Sequence, residues 1–134
     1  MTLPAASEHI TAERIFTDMH TAYRFTSEPV TDADLARVYE LAKYTPTALN
    51  SQPLRVTFVR TAQAKERLLP LIAEGNRAKS ASAPVVAILA ADTDFHEHLP
   101  LVAPQHPGVR ERFAANADQR HAMAVNNAWL QAGG

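Results

Sequence analysis

From Ala12 the apolar positions fall at Ala12, Ile15, Phe16, Met19, Ala22 and Tyr23. Spacings of three and four place them on one stripe of a helix. Pro29 ends the pattern. Thr31 then offers an N-cap oxygen, Asp32 and Asp34 put negative charge at a helix start, and Leu35, Val38, Tyr39 and Ala42 form a second stripe that closes before Pro46. Leu54, Val56 and Phe58 alternate with Arg55 and Thr57, the period of a strand. Thr61 is positioned to cap a third helix carrying Leu68, Leu69 and Ile72, with Pro70 shortening it and Gly75 as its C-terminal stop. The run Pro84–Ala91, apolar throughout and β-branched at three positions, predicts a strand covered on both faces. Residues 94–108, rich in Pro and His, read as a loop with room for a short helix. From Val109 a helical pattern returns, with His121, Ala124, Val125, Ala128, Trp129 and Ala132 on one face, and it stops at Gly133-Gly134.

The order helix, loop, strand, helix, strand predicts an α/β architecture, with helices packed on a small sheet. Two strands make a poor sheet alone. A long amphipathic helix at the chain terminus therefore reads as an interrupted domain.

A length of 134 residues fits one domain over 1–134. Hydrophobic residues at 46% and charged residues at 20% are ordinary for a folded chain. A net charge of −1 gives no field to attract nucleic acid or anionic lipid. Cysteine is absent, which removes disulfides, thiol nucleophiles and thiolate metal sites. Residues 1–14 hold no apolar segment of signal-peptide length, and no run is long enough to span a bilayer. A cytoplasmic protein follows by elimination, with neither nucleic acid nor membrane as partner.

The segment Tyr44–Pro53 concentrates Pro, Thr, Asn, Ser and Gln between a helix and a strand, without charge. Asn50 and Gln52 can donate to and accept from a flat ligand's polar edge, with Pro46 and Pro53 stiffening the loop. A plain polar connection is favoured by composition alone. Asn76 and Lys79, three apart, share a helical face, where Lys79 can stabilise negative charge developing on a bound ring. A solvated helix end is the plainer reading. His20, Thr21 and Arg24 offer phosphate ligands. They stand at the C-terminal end of the first helical pattern, where the helix dipole opposes an anion.

His96-Glu97-His98 has the spacing of a metal clip in an extended segment, but no third ligand follows at convincing spacing, and Pro100 and Pro104 crowd the region. No Gly-x-Ser-x-Gly elbow, Gly-x-Gly-x-x-Gly turn or P-loop is present. Trp129 reads as core or interface.

Taken in order, these segments resemble the nitroreductase family of FMN enzymes. The resemblance is carried by His20-Thr21-Ala22-Tyr23-Arg24-Phe25, Glu28-Pro29-Val30-Thr31, Pro46-Thr47-x-x-Asn50-x-Gln52-Pro53 before Arg55–Val59, and Asn76-x-x-Lys79 before Ala83-Pro84-Val85. Ile15–Asp18, Tyr44–Thr47, Phe58–Thr61 and Asp94-Phe95 with Leu99-Pro100 are similar to the branch assigned to malonic semialdehyde reduction. The resemblance runs from about Ile15 to Gln131.

It implies a homodimer with FMN at the subunit interface. In the family, NADH or NADPH gives a hydride to the flavin, which passes it to a small carbonyl or nitro substrate in a ping-pong cycle. It implies cofactor contacts at Thr21 for phosphate, at Pro46, Thr47, Ala48, Asn50 and Gln52 in the loop that approaches the flavin, often from the partner subunit, and at Asn76 and Lys79 on the ring. It implies no protein nucleophile and no acid–base side chain. Where the family commonly carries Arg, this chain has His20, a weaker phosphate ligand when neutral; Arg24 can compensate from a shifted position. The family sequence also continues past Leu130–Gly133 with more helix, strands, a basic phosphate contact and a tail around the partner. The expectation is therefore an FMN oxidoreductase fold, incomplete at the C-terminus. The rival readings are a non-catalytic relative acting as an oligomeric or binding module and, third, a metal-dependent hydrolase using His96 and His98.

Overall fold

The structure is a computed structural model that describes residues 13–133. Ala12, where the first apolar stripe begins, and Gly134, where the last helix was expected to stop, lie outside the described residues, as does all but Glu13 and Arg14 of the segment read for a signal peptide. The chain divides into two compact units, residues 13–29 with 60–86 and residues 30–59 with 87–133.

The second unit opens with α1 (Asp32–Ala42). Its start is the one the sequence predicts. Thr31 Oγ1 accepts from the Asp34 amide at 3.2 Å, and Asp34 Oδ2 accepts from the Thr31 amide at 2.9 Å. This reciprocal box satisfies two amides that a helix start otherwise leaves unpaired. Thr31→Ala is expected to lower stability by about 1 kcal/mol, measurable by urea unfolding. A loop with a 3-10 turn (Ala48–Asn50) leads into β1 (Leu54–Val59).

β1 pairs with β2 (Val86–Ala91) in a two-stranded sheet. The Asp92 amide donates to the Pro53 carbonyl at 2.8 Å, and Arg55 Nη2 pairs with Asp92 Oδ2 at 2.6 Å. The start of β1 therefore meets the end of β2, and the pair is antiparallel. The expectation that β2 is covered on both faces is corrected: Ile88 and Leu89 are 41% and 53% exposed. A later helix, Ala117–Gln131, packs on β1 and leaves these two side chains largely open.

The segment after β2 is more ordered than its Pro-rich sequence predicts. A 3-10 turn (Phe95–His98) runs into α4 (Leu99–Val102), and Gly108, at φ 78°, turns the chain into α5 (Val109–Ala115). The 3-10 turn brings Phe95 and Leu99 to one side. With Ala103, Val109, Phe113 and Ala124 they form the buried core of the unit, and Leu49, Ala91, Val102 and Met123 pack against it. The helical pattern from Val109 is two helices, because Asn116 interrupts it: its Oδ1 accepts from the Gln119 amide at 2.9 Å and starts α6 (Ala117–Gln131). The expected apolar face of α6 is rotated. Ala124, Asn127, Ala128 and Gln131 are buried, whereas Val125 and Trp129 are 43% and 69% exposed.

In the first unit, the helix expected from the Ala12–Tyr23 stripe is absent. Only Glu13–Thr17 forms a single π-helical turn, and no helix follows before Thr31. Phe16, Met19 and Tyr23 are all more than three-quarters exposed. A short amphipathic stripe without a surface to bury against does not hold a helix. Thr61 caps α2 (Ala62–Leu68) through its Oγ1, which accepts from the Ala64 amide at 3.2 Å, and Pro70 sits in the 3-10 turn Leu69–Leu71 that ends it. Gly75 is not the stop; it lies in the first turn of α3 (Glu74–Ser82). The carbonyls exposed at that junction are held by Arg77, whose Nε donates to Ile72 O at 2.8 Å and Nη2 to Pro70 O at 3.2 Å.

Two carboxylates of the second unit titrate below their ordinary range. Hydrogen bonds from the Thr31 side chain and amide hold Asp34 down, and hydrogen bonds from Arg110 hold Glu97 down. A carboxyl group whose folded pKa is depressed contributes stability above the unfolded value, about pH 4 to 4.5, and that contribution is lost as pH falls through the folded one. Thermal stability is therefore expected to drop on acidification below about pH 4, with a shallower drop in an Asp34→Asn, Glu97→Gln variant. An unchanged slope in the variant would remove these two groups from the acid response.

Candidate functional site

The loop between α1 and β1 holds the least ordinary backbone among the described residues. Leu49, Asn50 and Gln52 have φ of 58°, 51° and 44°. Asn adopts this left-handed region readily, but Leu and Gln rarely do, because Cβ crowds the carbonyl. Left-handed non-glycine residues persist only where the surroundings hold them. Here the holding groups are specific. The Leu49 side chain packs against the Phe95–Leu99 core. The Ala48 amide donates to Asn127 Oδ1 at 2.7 Å. Thr47 Oγ1 accepts from the Gln52 amide at 3.1 Å and from Gln52 Nε2 at 3.3 Å, and Asn50 Oδ1 accepts from Gln52 Nε2 at 3.0 Å. Gln131 Nε2 donates to Gln52 Oε1 at 2.5 Å, and Gln131 Oε1 accepts from the Leu54 amide at 3.0 Å.

The loop residues divide by role. The Gln52 amide gives both its protons and its oxygen to the protein, so its contribution to a ligand is to fix the loop. Asn50 is exposed, with only a long 3.4 Å bond from Nδ2 to Val102 O besides its contact with Gln52. Its amide retains donor and acceptor capacity for a ring edge. Thr47 accepts twice, which leaves its hydroxyl proton to donate. Pro46 and Ala48 are exposed beside them and carry no charge. Ser51, next in the chain, is buried with its hydroxyl unpartnered. Cavities of 230 Å³, lined by Lys43, Ser51, Arg55 and His98, and of 340 Å³, lined by Leu49, His106 and Arg112, flank the loop.

In the first unit Asn76 and Lys79 lie on α3 one turn apart, as the sequence predicts. Lys79 is half-buried and its Nζ stands 5.9 Å from the centre of the Tyr23 ring, within cation–π range. Tyr23 lies between Thr21 and Arg24, so the phosphate candidates and the lysine belong to one neighbourhood. His20, Thr21 and Arg24 are exposed and are not at a helix end. The dipole objection to a phosphate there falls away with the helix. His20 Nδ1 donates to the Asp18 carbonyl at 2.9 Å. The neutral ring then presents only a lone pair outward, so His20 can donate to an anion only when charged.

His96 and His98 lie in a 3-10 turn, not an extended segment, and His96 is buried beside Phe95. Among the described residues no group of three His, Cys, Asp or Glu side chains is placed to hold a metal, and no helix is long and apolar enough to cross a membrane. The sequence reading missed Asn127 and Gln131. The available signal was a pair of amides at i and i+4 flanking Ala128 on a helix with alanines at the same face.

Comparison with known proteins follows the same lines. The profile of the nitroreductase family matches residues 18–133. A Streptomyces coelicolor protein named "Putative NADH dehydrogenase/NAD(P)H nitroreductase" is 57% identical over 119 residues, 89% of this chain and 59% of its own length. A Leptothrix cholodnii protein of the same name is 49% identical over 128 residues, 96% of this chain and 65% of its own. The chain thus spans about three fifths of the length of these relatives. A crystal structure of a nitroreductase family protein from Streptococcus pneumoniae superimposes with a TM-score of 0.65 at 27% identity, over 84% of this chain and 63% of that one. The fold also matches a "putative nitroreductase" from Exiguobacterium sibiricum, solved with FMN, at a TM-score of 0.74 and 17% identity, over 92% of this chain and 67% of that one. The family profile, the identities and the shared helix-and-small-sheet fold agree, and the chain belongs to the nitroreductase family.

Proposed function

We propose that the protein is an FMN-dependent oxidoreductase that takes electrons from NADH or NADPH and reduces a small carbonyl compound, malonic semialdehyde-like, or a nitro compound. The observation that carries this reading is the preorganised, uncharged loop at Thr47–Pro53, held left-handed with the Asn50 amide outward. Support for the cofactor comes from the donor set: an exposed amide and hydroxyl for a flat polar edge, and Thr21, Arg24 and Lys79 for negative charge. These residue types fit FMN, and the FMN-bound Exiguobacterium sibiricum structure of the same fold agrees. When bound, FMN supplies the two-electron chemistry between nicotinamide and substrate.

The chain's residues then bind and orient. Thr21 and Arg24 hold the phosphate, with His20 assisting when charged. Asn76 and Lys79 face the ring, and the ammonium of Lys79 favours negative charge developing there. Thr47, Ala48 and Asn50 meet a flavin carried by the partner copy. The flanking cavities, at 230 and 340 Å³, lie at or below the lower end of the roughly 300–1,000 Å³ usual for cofactor pockets. A second copy would supply the enclosing surface. The exposed Leu89, Val125 and Trp129 line an apolar groove that suits such an interface. Residues 1–134 are read as one domain, because the family match runs through both units.

The test is the visible spectrum of the protein after incubation with FMN and desalting. Retained flavin absorbance is expected, together with oxidation of NADH or NADPH. Colourless protein would overturn the reading and favour a binding module. Dimerisation is expected to bury Trp129, the one tryptophan. Its acrylamide quenching should fall severalfold as concentration rises through the dimer transition. Quenching independent of concentration, with a monomer by light scattering, would sink the dimer.

A further inference from the structure

Asn127 and Gln131 are buried, at 4% and 5% exposure, one turn apart on α6. A primary amide is a poor choice for a helix face packed on a core, because each of its polar atoms must be paired to offset desolvation. Both are paired at both ends, and the partners are not arbitrary. Asn127 Nδ2 donates to the Met123 carbonyl at 2.9 Å, one turn back, which fixes the side chain and aims Oδ1 at the Ala48 amide, 2.7 Å away. Gln131 reaches two loop groups, the Gln52 side chain at 2.5 Å and the Leu54 amide at 3.0 Å. The two amides therefore grip the loop at either end of the segment 49–52, in which Leu49, Asn50 and Gln52 are left-handed. Between these grips the backbone is strained, and it relaxes into commoner turns unless it is held.

We propose that Asn127 and Gln131 are positioning residues that select the left-handed conformer of Thr47–Pro53 and so set the protein's affinity for its cofactor. The proposal rests on the flavin reading above. Asn127 spends its amide on Met123 and the Ala48 amide, and Gln131 spends its oxygen on the Leu54 amide and a proton on Gln52, so both act through the loop. Their effect is a change in the fraction of molecules whose loop is ready to bind. The apparent dissociation constant rises as that fraction falls, while the bound state itself is unaltered. Packing of α6 on β1 alone predicts something different, a general loss of stability without a selective change at the loop.

The test compares the parent with Asn127→Leu and Gln131→Met in amide hydrogen exchange and in FMN titration. Expected is faster exchange at Ala48 and Leu54 in the free protein, unchanged exchange at the middle of β1, and FMN binding weakened roughly tenfold. At saturating FMN the flavin spectrum should return to that of the parent. Accelerated exchange with unchanged FMN affinity would overturn the proposal, as would unchanged exchange at both amides. If a helix variant fails to fold, Gln52→Met removes the Gln131 contact from the loop side and is read the same way for Leu54. If the parent itself binds no FMN, the functional reading fails, and the exchange data alone then keep or overturn the selection of the loop conformer.

Discussion

Phe95→Ala is expected to destabilise the second unit by about 3–5 kcal/mol, enough to unfold much of it at room temperature, since small domains are stable by only about 5–15 kcal/mol. Phe95 is 0% exposed and meets Phe113 edge-to-face, with ring centres 5.3 Å apart. It is one of the largest side chains in the buried core, and that core has only six buried members. Nothing of comparable size can collapse into the space. The loss also reaches the functional loop, because Leu49 packs against the same cluster. Urea unfolding followed by far-ultraviolet circular dichroism measures it. Leu101→Ala is the control: Leu101 lies six residues on and is 82% exposed, so its replacement should fall within about 0.5 kcal/mol of the parent. A Phe95→Ala loss under about 1 kcal/mol would mean that the core is elsewhere.

Sequence reading reached the elements whose causes are local. The Thr31 and Thr61 caps, the alternation in β1 and the shortening at Pro70 each depend on a few neighbours, and each is present. It failed where distant partners decide. The Ala12–Tyr23 stripe has helical spacing, yet Phe16, Met19 and Tyr23 stay exposed and no helix forms beyond one turn. Gly75 looked like a stop because glycine often ends helices. Here Arg77 holds the junction carbonyls, and glycine is merely tolerated in α3. Phe95 and Leu99 were hidden in a Pro- and His-rich stretch, because a 3-10 turn gives neither of the periods by which core faces are recognised.

The candidate loop was legible as an unusual concentration of amides and prolines, and Asn76 and Lys79 as one helical face. The division of labour inside the loop was not. Asn50 and Gln52 look equivalent in sequence, but Gln52 is spent on Thr47, Asn50 and Gln131 whereas Asn50 faces outward. Hydropathy also set Trp129 on the apolar side of α6 and marked neither Asn127 nor Gln131 for burial. The structure buries both amides, which are paired, and leaves the indole 69% exposed.

Lys79→Ala is expected to lower kcat/KM for NADH or NADPH oxidation by about 10²–10³, the usual cost of removing one group that stabilises developing negative charge. Lys79 is suited to that task by its surroundings. It is half-buried on α3, and its ammonium stands over the Tyr23 ring, with no carboxylate paired to it among the described residues. An ion pair would cancel the charge, whereas an aromatic face steadies it and leaves it available. A Lys79→Met variant keeps the stem and removes only the charge, so packing and electrostatics separate. If the charge is what matters, Met and Ala lose alike, and the bound flavin becomes harder to reduce in both. A factor of 10² corresponds to a midpoint about 60 mV lower for a two-electron couple. Tyr23→Leu should move the same potential in the same direction by a smaller amount, because it frees the ammonium without removing it. Spectroelectrochemical titration of the FMN-loaded protein reads all three variants. A midpoint unchanged in Lys79→Met would take Lys79 out of the cofactor site, even if activity fell.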